Sequence, residues 1–299
     1  MGMRIQYFNG GLANQVFQYI FYRYAEITSP NKDNAWFLDD SHFFFKNEHN
    51  GYELERIFGL KPNLLSSFFE PSDWEYFVEN RKKGIGTAQT IQDIGIPIEM
   101  ICEAINYRTD NPFYGHVHLV PCNEYHPEIL NFPCENIYYF GYWINKNWFM
   151  KYRDLFMEEL RFPPLTRDAN KSYADKINSS LSVGVHIRRG DFLKLNLHLD
   201  TSFYHKSTKD LVNAYPELTF FIFSDDIPWC QNHADELGLS LAKEVVFVEG
   251  NVGGANYIDM QLMAMCQGLL LSNSSFSYLS ALLNPNLKFF VNPVSYREI

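Results

Sequence analysis

Three short, nearly unbroken apolar runs constrain the fold of this chain more than any other feature: residues 181–187, 218–223 and 245–248. They are followed by a helical pattern over 256–267, a strand pattern at 269–271, a second helix at 276–283 and a last strand at 288–291. Strands that are apolar on both faces and alternate with helices belong in a parallel sheet covered on both sides. The residues from 163 onward therefore read as an α/β domain of nucleotide-binding type.

The N-terminal half begins in a similar way. A strand at 3–8 runs into Asn9-Gly10-Gly11 and then a helix whose Val16, Phe17, Ile20, Phe21 and Tyr24 share one face. A second strand at 34–38 ends at Asp39-Asp40. From 41 to 135 the pattern is aromatic-rich and aperiodic, punctuated by Pro62, Pro71, Gly84, Gly86 and Pro97, and no chemistry is assigned there. An amphipathic helix over 146–160 stops at Phe162-Pro163-Pro164, since paired prolines cannot continue a helix. The expected division is 1–162 and 163–299, in keeping with 299 residues at roughly 150 per domain.

Composition excludes several classes of function. An apolar content of 46% supplies a substantial core and rules out global disorder. A net charge of −10 opposes a nucleic-acid partner, which needs clustered Lys and Arg. No apolar stretch approaches the ~20 residues that span a bilayer, and the chain starts directly in patterned sequence. The expected location is cytoplasmic, with at most peripheral contact with a membrane. Cys102, Cys122, Cys134, Cys230 and Cys266 are scattered and read as reduced thiols.

Four segments could carry chemistry. In the first, alternation along 183–187 puts Val183, Val185 and Ile187 on one face and His186 and Arg188 on the other, at the carboxyl end where open sheets bind ligands. Arg188 could grip a diphosphate with a bidentate fork. Arg189 then faces away and is expected to pair with Asp191 across Gly190; an ordinary surface loop with a salt bridge is the competing account. The second is Ser224-Asp225-Asp226 after a strand, either acceptors for a ribose or guanine or, by itself the stronger reading, a helix N-cap. The third runs from Asp259 through Cys266 to Ser272-Asn273-Ser274-Ser275-Phe276-Ser277, an anion cradle or a well-capped helix, with its Met residues in the core. The fourth is Gly10-Gly11-Leu12-Ala13-Asn14-Gln15, where glycines let a ligand approach the backbone, though it matches neither a dinucleotide fingerprint nor a P-loop. The chain lacks Asp-x-Asp, HExxH and GxSxG, and His116-x-His118 reads as structural. If a diphosphate binds here, arginine and backbone amides must replace a metal.

Taken together, Gly10–Tyr19, His186–Phe192, Phe223–Asp226 and Asp259–Ser277 resemble the α-1,2-fucosyltransferases of glycosyltransferase family 11, in order and spacing and across nearly the whole chain. Ala13, Phe192, Ser275 and Tyr278-Leu279 depart from the family's usual Gly, Tyr, Thr and Trp pair. The resemblance implies an α/β, GT-B-like architecture of two Rossmann-like lobes with a cleft between them. The first lobe would serve the acceptor and the second would bind GDP-fucose, its last segment able to pack back on the first.

The implied reaction is inverting transfer of L-fucose from GDP-β-L-fucose to the 2-hydroxyl of a terminal β-galactoside, with no cofactor and no metal. By position, Arg188 would bind the diphosphate and stabilise departing GDP. His186, Asp226 and Asp225 would recognise guanine and ribose, and Ser274, Ser275 and Ser277 would contact phosphate or fucose. Asp191 and Gly11 would complete the donor site, with Asn14 near the anomeric carbon. No matched motif names a general base; Asp39 and Asp40 are the candidates at the end of the N-terminal strand. The competing readings are a fucosyltransferase of another linkage (1,6-transfer or protein O-fucosylation) and a non-catalytic GDP- or sugar-binding module.

Overall fold

The computed structural model describes residues 2–46, 49–103 and 116–294. The chain divides into two compact units, Met1–Arg161 and Phe162–Ile299. Residues 295–299, the end of the segment expected to be able to pack back on the first lobe, lie outside the described residues.

The first unit holds strands β1 (Met3–Tyr7), β2 (Ala35–Asp39), β3 (Glu99–Glu103), β4 (Val117–Val120) and β5 (Ile137–Phe140). They form one sheet in the order β2-β1-β5-β3-β4, with every pairing parallel. The helix Leu12–Thr28 follows β1 and buries Val16, Phe17, Ile20, Phe21 and Tyr24, the face that the sequence spacing predicts. Much of the aromatic content is spent beneath it. Phe21 stacks on Trp143 at 4.4 Å and meets Trp148 edge-on at 5.2 Å, while Tyr24 meets Trp148 at 5.0 Å.

Two expectations need correction here. The single helix over 146–160 is two short helices, Lys146–Met150 and Arg153–Glu159. The break falls where Tyr152 leaves helical backbone (φ −129°, ψ 42°) and packs edge-on against Tyr24. The aperiodic stretch 41–135 also contains regular structure: the helices Pro71–Lys82 and Thr87–Asp93, with β3 and β4. Trp74, Phe77, Val78 and Ile91 from it enter the first unit's core.

The second unit holds β6 (Leu181–Ile187), β7 (Leu218–Ser224), β8 (Glu244–Phe247), β9 (Gly268–Leu270) and β10 (Phe289–Val291), again all parallel, in the order β10-β9-β6-β7-β8. Val183, Val185 and Ile187 point into a core with Phe220, Ile222 and Leu270, each contributing about 1.5–3 kcal/mol by burial. From β6 the chain steps outward to β7 and β8, then returns to β9 on the other side of β6. Where strand order reverses, the flanking loops part at the carboxyl ends and leave a crevice that suits a ligand. In the first unit the corresponding reversal lies between β1 and β5.

All five cysteines are free. Among the described residues no helix is long and apolar enough to cross a membrane. His116 and His118 both face Glu99 at the surface, at 3.3 and 2.9 Å.

The aromatic packing around Trp148, which is fully buried, leads to a direct expectation. Trp148→Ala should lower the urea-unfolding free energy by about 3–5 kcal/mol, the cost of emptying an aromatic site in a core; a loss under 1 kcal/mol would contradict this packing.

Candidate active site

The reversal between β6 and β9 opens onto a cavity of about 480 Å³ lined by His186, Arg188, Asp225, Asn251, Asp259 and Phe276, with Val248 and Val252 as apolar wall. Alternation along β6 sends His186 away from the core, and Arg188 follows on the same side just past the strand. The two therefore meet at the mouth of the crevice.

His186 is buried, its Nδ1 lies 2.7 Å from Ser272 Oγ just beyond β9, and its ring stacks on Phe276 at 5.5 Å. Burial, with the Arg188 charge adding to it, pushes the imidazole down to about 3. His186 is thus a neutral hydrogen-bonding group at any ordinary pH.

Arg188 is held between two carboxylates, its Nη2 2.6 Å from Asp191 Oδ1 and its Nη1 2.8 Å from Asp225 Oδ2. The same Asp225 accepts the Arg189 backbone N–H at 2.9 Å. A Cβ at Gly190 would sit 2.6 Å from Asp225 Oδ2, so only glycine lets the loop close this tightly. The expected Arg189–Asp191 pair does not form. Strand alternation ends at Ile187, and Arg189 takes a non-strand backbone (φ −127°, ψ −75°). Its Nε pairs with Asp226 at 3.3 Å and its guanidinium lies 3.4 Å from the Trp229 ring centroid.

The other expected residues divide between lining the site and building it. Asp225 lines the cavity. Asp226 caps the helix Ile227–Asn232 through the Trp229 N–H, as the N-cap reading of this pair holds. Ser274 caps the helix Ser275–Leu282, accepting from the Phe276 N–H at 3.2 Å. Ser275 opens that helix. Ser277 is fully buried, its one O–H shared between the carbonyls of Ser272 and Ser274, so it shapes the turn.

Gly11 and Asn14 belong to the first unit, where Gly10 has a φ of +79° and the Asn14 amide folds back over it. Gln15 and Gln18 are wholly buried there. Gln15 bonds the Gly10 and Gly51 carbonyls at 2.8 Å each, and Gln18 brackets Asn9. Asp39 and Asp40 are buried and engaged. Asp39 accepts from Tyr138 Oη at 2.6 Å and the Ser41 N–H at 3.0 Å. Asp40 accepts from the Ser66 N–H at 3.0 Å and the Ser66 hydroxyl at 2.5 Å, with burial raising it to about 6.

Sequence reasoning placed Asp259 at the head of the third segment but gave it no role of its own, and it missed Asn251; both line the cavity. Asp259 accepts from Asn251 Nδ2 at 2.8 Å, and Asn251 exchanges amide bonds of 3.0 and 3.1 Å with Asn170. Burial raises the Asp259 carboxyl to about 7, with the Asn251 bond opposing. The available signal was a carboxylate among Ile258, Met260, Leu262 and Met263, all buried on one short helix.

The shift at Asp259 has a definite sign. Between about pH 4 and 7 the folded state keeps a proton that the unfolded state has lost, so this group makes stability fall as pH rises through that window. His186 acts oppositely: the unfolded chain takes up a proton below about 6.5 that the folded state refuses, so stability is lost as pH falls toward 3. Asp259→Asn isolates the first effect. It should melt about 2–4 °C above wild type at pH 8 and show little gain at pH 4; equal gains in thermal melts at both pH values would contradict the burial account.

Comparison with known proteins identifies the family and the fold. The profile described as glycosyl transferase family 11 matches residues 121–296. An Escherichia coli alpha-1,2-colitosyltransferase is 28% identical over 296 residues, covering 97% of this chain and 90% of its own. The Escherichia coli O-antigen biosynthesis glycosyltransferase WbnK is 24% identical over 292 residues, covering 92% of this chain and 88% of its own. A mutant of Arabidopsis thaliana FUT1 solved in complex with GDP superposes with a TM-score of 0.50 at 13% identity, covering 99% of this chain and 71% of its own. That likeness speaks to the fold alone, which is α/β in two units and of GT-B type. With the family profile matching more than half of the chain, from 121 to 296, this protein belongs to glycosyl transferase family 11.

Proposed function

We propose that this glycosyltransferase moves L-fucose from GDP-β-L-fucose to the 2-hydroxyl of a terminal β-galactoside on a glycan or surface-polysaccharide precursor. The observation that carries the reading is the guanidinium of Arg188 at the mouth of the β6–β9 crevice, with neutral His186 behind it and Asp225 and Asp259 on the walls.

A guanidinium has five N–H donors, and its pairs with Asp191 and Asp225 use only part of them. The remaining donors suit a diphosphate, to which Arg binds bidentately. Asp225 and Asp259 suit the N–H donors of guanine and the hydroxyls of ribose, with Val248 and Val252 against the flat base. Guanine N–H groups donated to Asp259 would favour its ionised form, which burial otherwise disfavours.

In the reaction the acceptor oxygen attacks the anomeric carbon while the bond to the β-phosphate oxygen breaks, and its electron pair leaves with GDP. Arg188 stabilises the charge that develops there, the role a metal fills in other sugar-nucleotide enzymes. We read the transfer as metal- and cofactor-independent on that ground. The acceptor proton leaves to a departing phosphate oxygen along a dissociative path. Asp39 and Asp40 are buried and already accept from Tyr138, Ser41 and Ser66, so no step of this reading is routed through them.

A second donor has specific support. The Escherichia coli relative named as an alpha-1,2-colitosyltransferase matches nearly the whole chain. Colitose is fucose without its 3-hydroxyl, so the same diphosphate and guanine contacts serve either donor. Competition between the two GDP-sugars decides between them.

With GDP-fucose and lactose or N-acetyllactosamine, turnover should persist in EDTA and the product should show a Fuc-α-1,2-Gal linkage by NMR. Arg188→Ala should keep the fold while losing roughly 10²–10³ in turnover. A variant holding a tenth of wild-type rate, or activity abolished by EDTA, would count against the role given to Arg188.

A further inference from the structure

We propose that Tyr142 is an acceptor-recognition residue, displayed beyond the carboxyl end of β5 in the first unit to hold a neutral pyranose ring. The assignment rests on the reading that this chain glycosylates a sugar hydroxyl, and adds the residue that would select the sugar.

Where strand order reverses in the first unit, one turn follows β1 and another follows β5, and the second is strained. Trp143 has a φ of 55°, a conformation that costs a bulky side chain about 1–3 kcal/mol. Such a backbone persists only where its surroundings over-determine it, and here four contacts do so. The Trp143 and Tyr142 N–H groups donate to Glu103 Oε2 at 2.9 and 2.7 Å. The indole Nε1 donates to Gln6 Oε1 at 2.7 Å, and the ring stacks on Phe21. Gln6 also bonds the Gly141 carbonyl at 3.0 Å, tying the turn back to β1.

Glu103 is a buried carboxylate whose outlay is explained by this turn. It accepts two of the turn's N–H groups and that of Asn123. A Cβ at Gly141 would lie 2.5 Å from its Oε2, so glycine is required for the carboxylate to come this close. Burying a carboxylate is costly unless its bonds are complete, and holding Trp143 in an unfavourable backbone adds to that cost. Neither is needed to bury Trp143, whose ring already fits between Phe21 and Gln6.

What the turn achieves is the placement of its middle residue. While Trp143 is 1% exposed, Tyr142 next to it is 40% exposed. It stands at the carboxyl ends of the strands, within electrostatic reach of Tyr7, which stacks on Phe140 at 4.7 Å and accepts from Arg81. A tyrosine offers an apolar ring face and a hydroxyl on one rigid side chain. That pairing matches a pyranose, which presents a C–H face and a rim of hydroxyls. Glu103 is the positioning residue that holds Tyr142 in place.

The test is steady-state kinetics with saturating GDP-fucose and varied galactoside. Tyr142→Ala should raise the acceptor KM about ten-fold, while the donor KM and GDP affinity stay within about two-fold. Tyr142→Phe, which keeps the ring face, should recover part of the loss. Glu103→Gln should shift the acceptor KM in the same direction and leave GDP affinity unchanged. If that buried change prevents folding, the exposed Tyr142 variants still decide the matter. Normal transfer by Tyr142→Ala with an unaltered acceptor KM, or a matching rise in donor KM, overturns the assignment alone. Wild-type protein that binds GDP and transfers to no galactoside overturns the functional reading, and this assignment with it.

Discussion

The guanidinium of Arg188 lies between the carboxylates of Asp191 and Asp225, and the loop after β6 is built around keeping it there. Both pairs are partly solvated, with half of the Asp191 side chain exposed, so each adds only about 0–1 kcal/mol to stability. Their value is geometric. A long cationic side chain free in solvent would lose rotamer entropy on meeting an anion, and here that loss is already met in the folded state. Gly190 has to be glycine for Asp225 to reach the loop, and Arg189 is drawn off to Asp226 and Trp229.

Behind Arg188 the chemistry is graded by burial. His186 is kept neutral and hydrogen-bonded to Ser272, so the inner crevice carries no second positive charge. Burial raises Asp259 to about 7 even with Asn251 donating to it, so a further N–H donor would favour its ionised form. The two units share one topological device, a reversal of strand order beside the first strand of each, at β6–β9 and at β1–β5. In the second unit the loops there carry charged groups. In the first they carry Gly10, Gly11 and Tyr142, with buried Gln6, Gln15 and Gln18 as internal braces. An anionic donor suits one and a neutral sugar the other.

Much of this was legible in the sequence where local rules decide. Alternation along 183–187 located His186 and Arg188, and the capping chemistry of Asp226 and Ser274 followed from their place before short helices. The exchange of partners at Arg188 and Arg189 was not legible, because strand alternation stops at Ile187 and no longer sets the direction of Arg189. Asp39 and Asp40 look like available bases at a strand end, and only the distant Tyr138 and Ser66 reveal that they are occupied. Residues 41–135 stayed opaque for a related reason. Their elements are short, and Glu103 puts a carboxylate at a core position, which breaks the apolar pattern of β3; its partners lie up to 40 residues away at Trp143.

A crystal structure with GDP bound tests the central claim most directly. The account predicts the guanine between Val248, Val252 and Asp259, and a phosphate oxygen within hydrogen-bond distance of the Arg188 guanidinium while Asp225 still holds it. GDP bound elsewhere, or a diphosphate that leaves Arg188 untouched, would contradict the account.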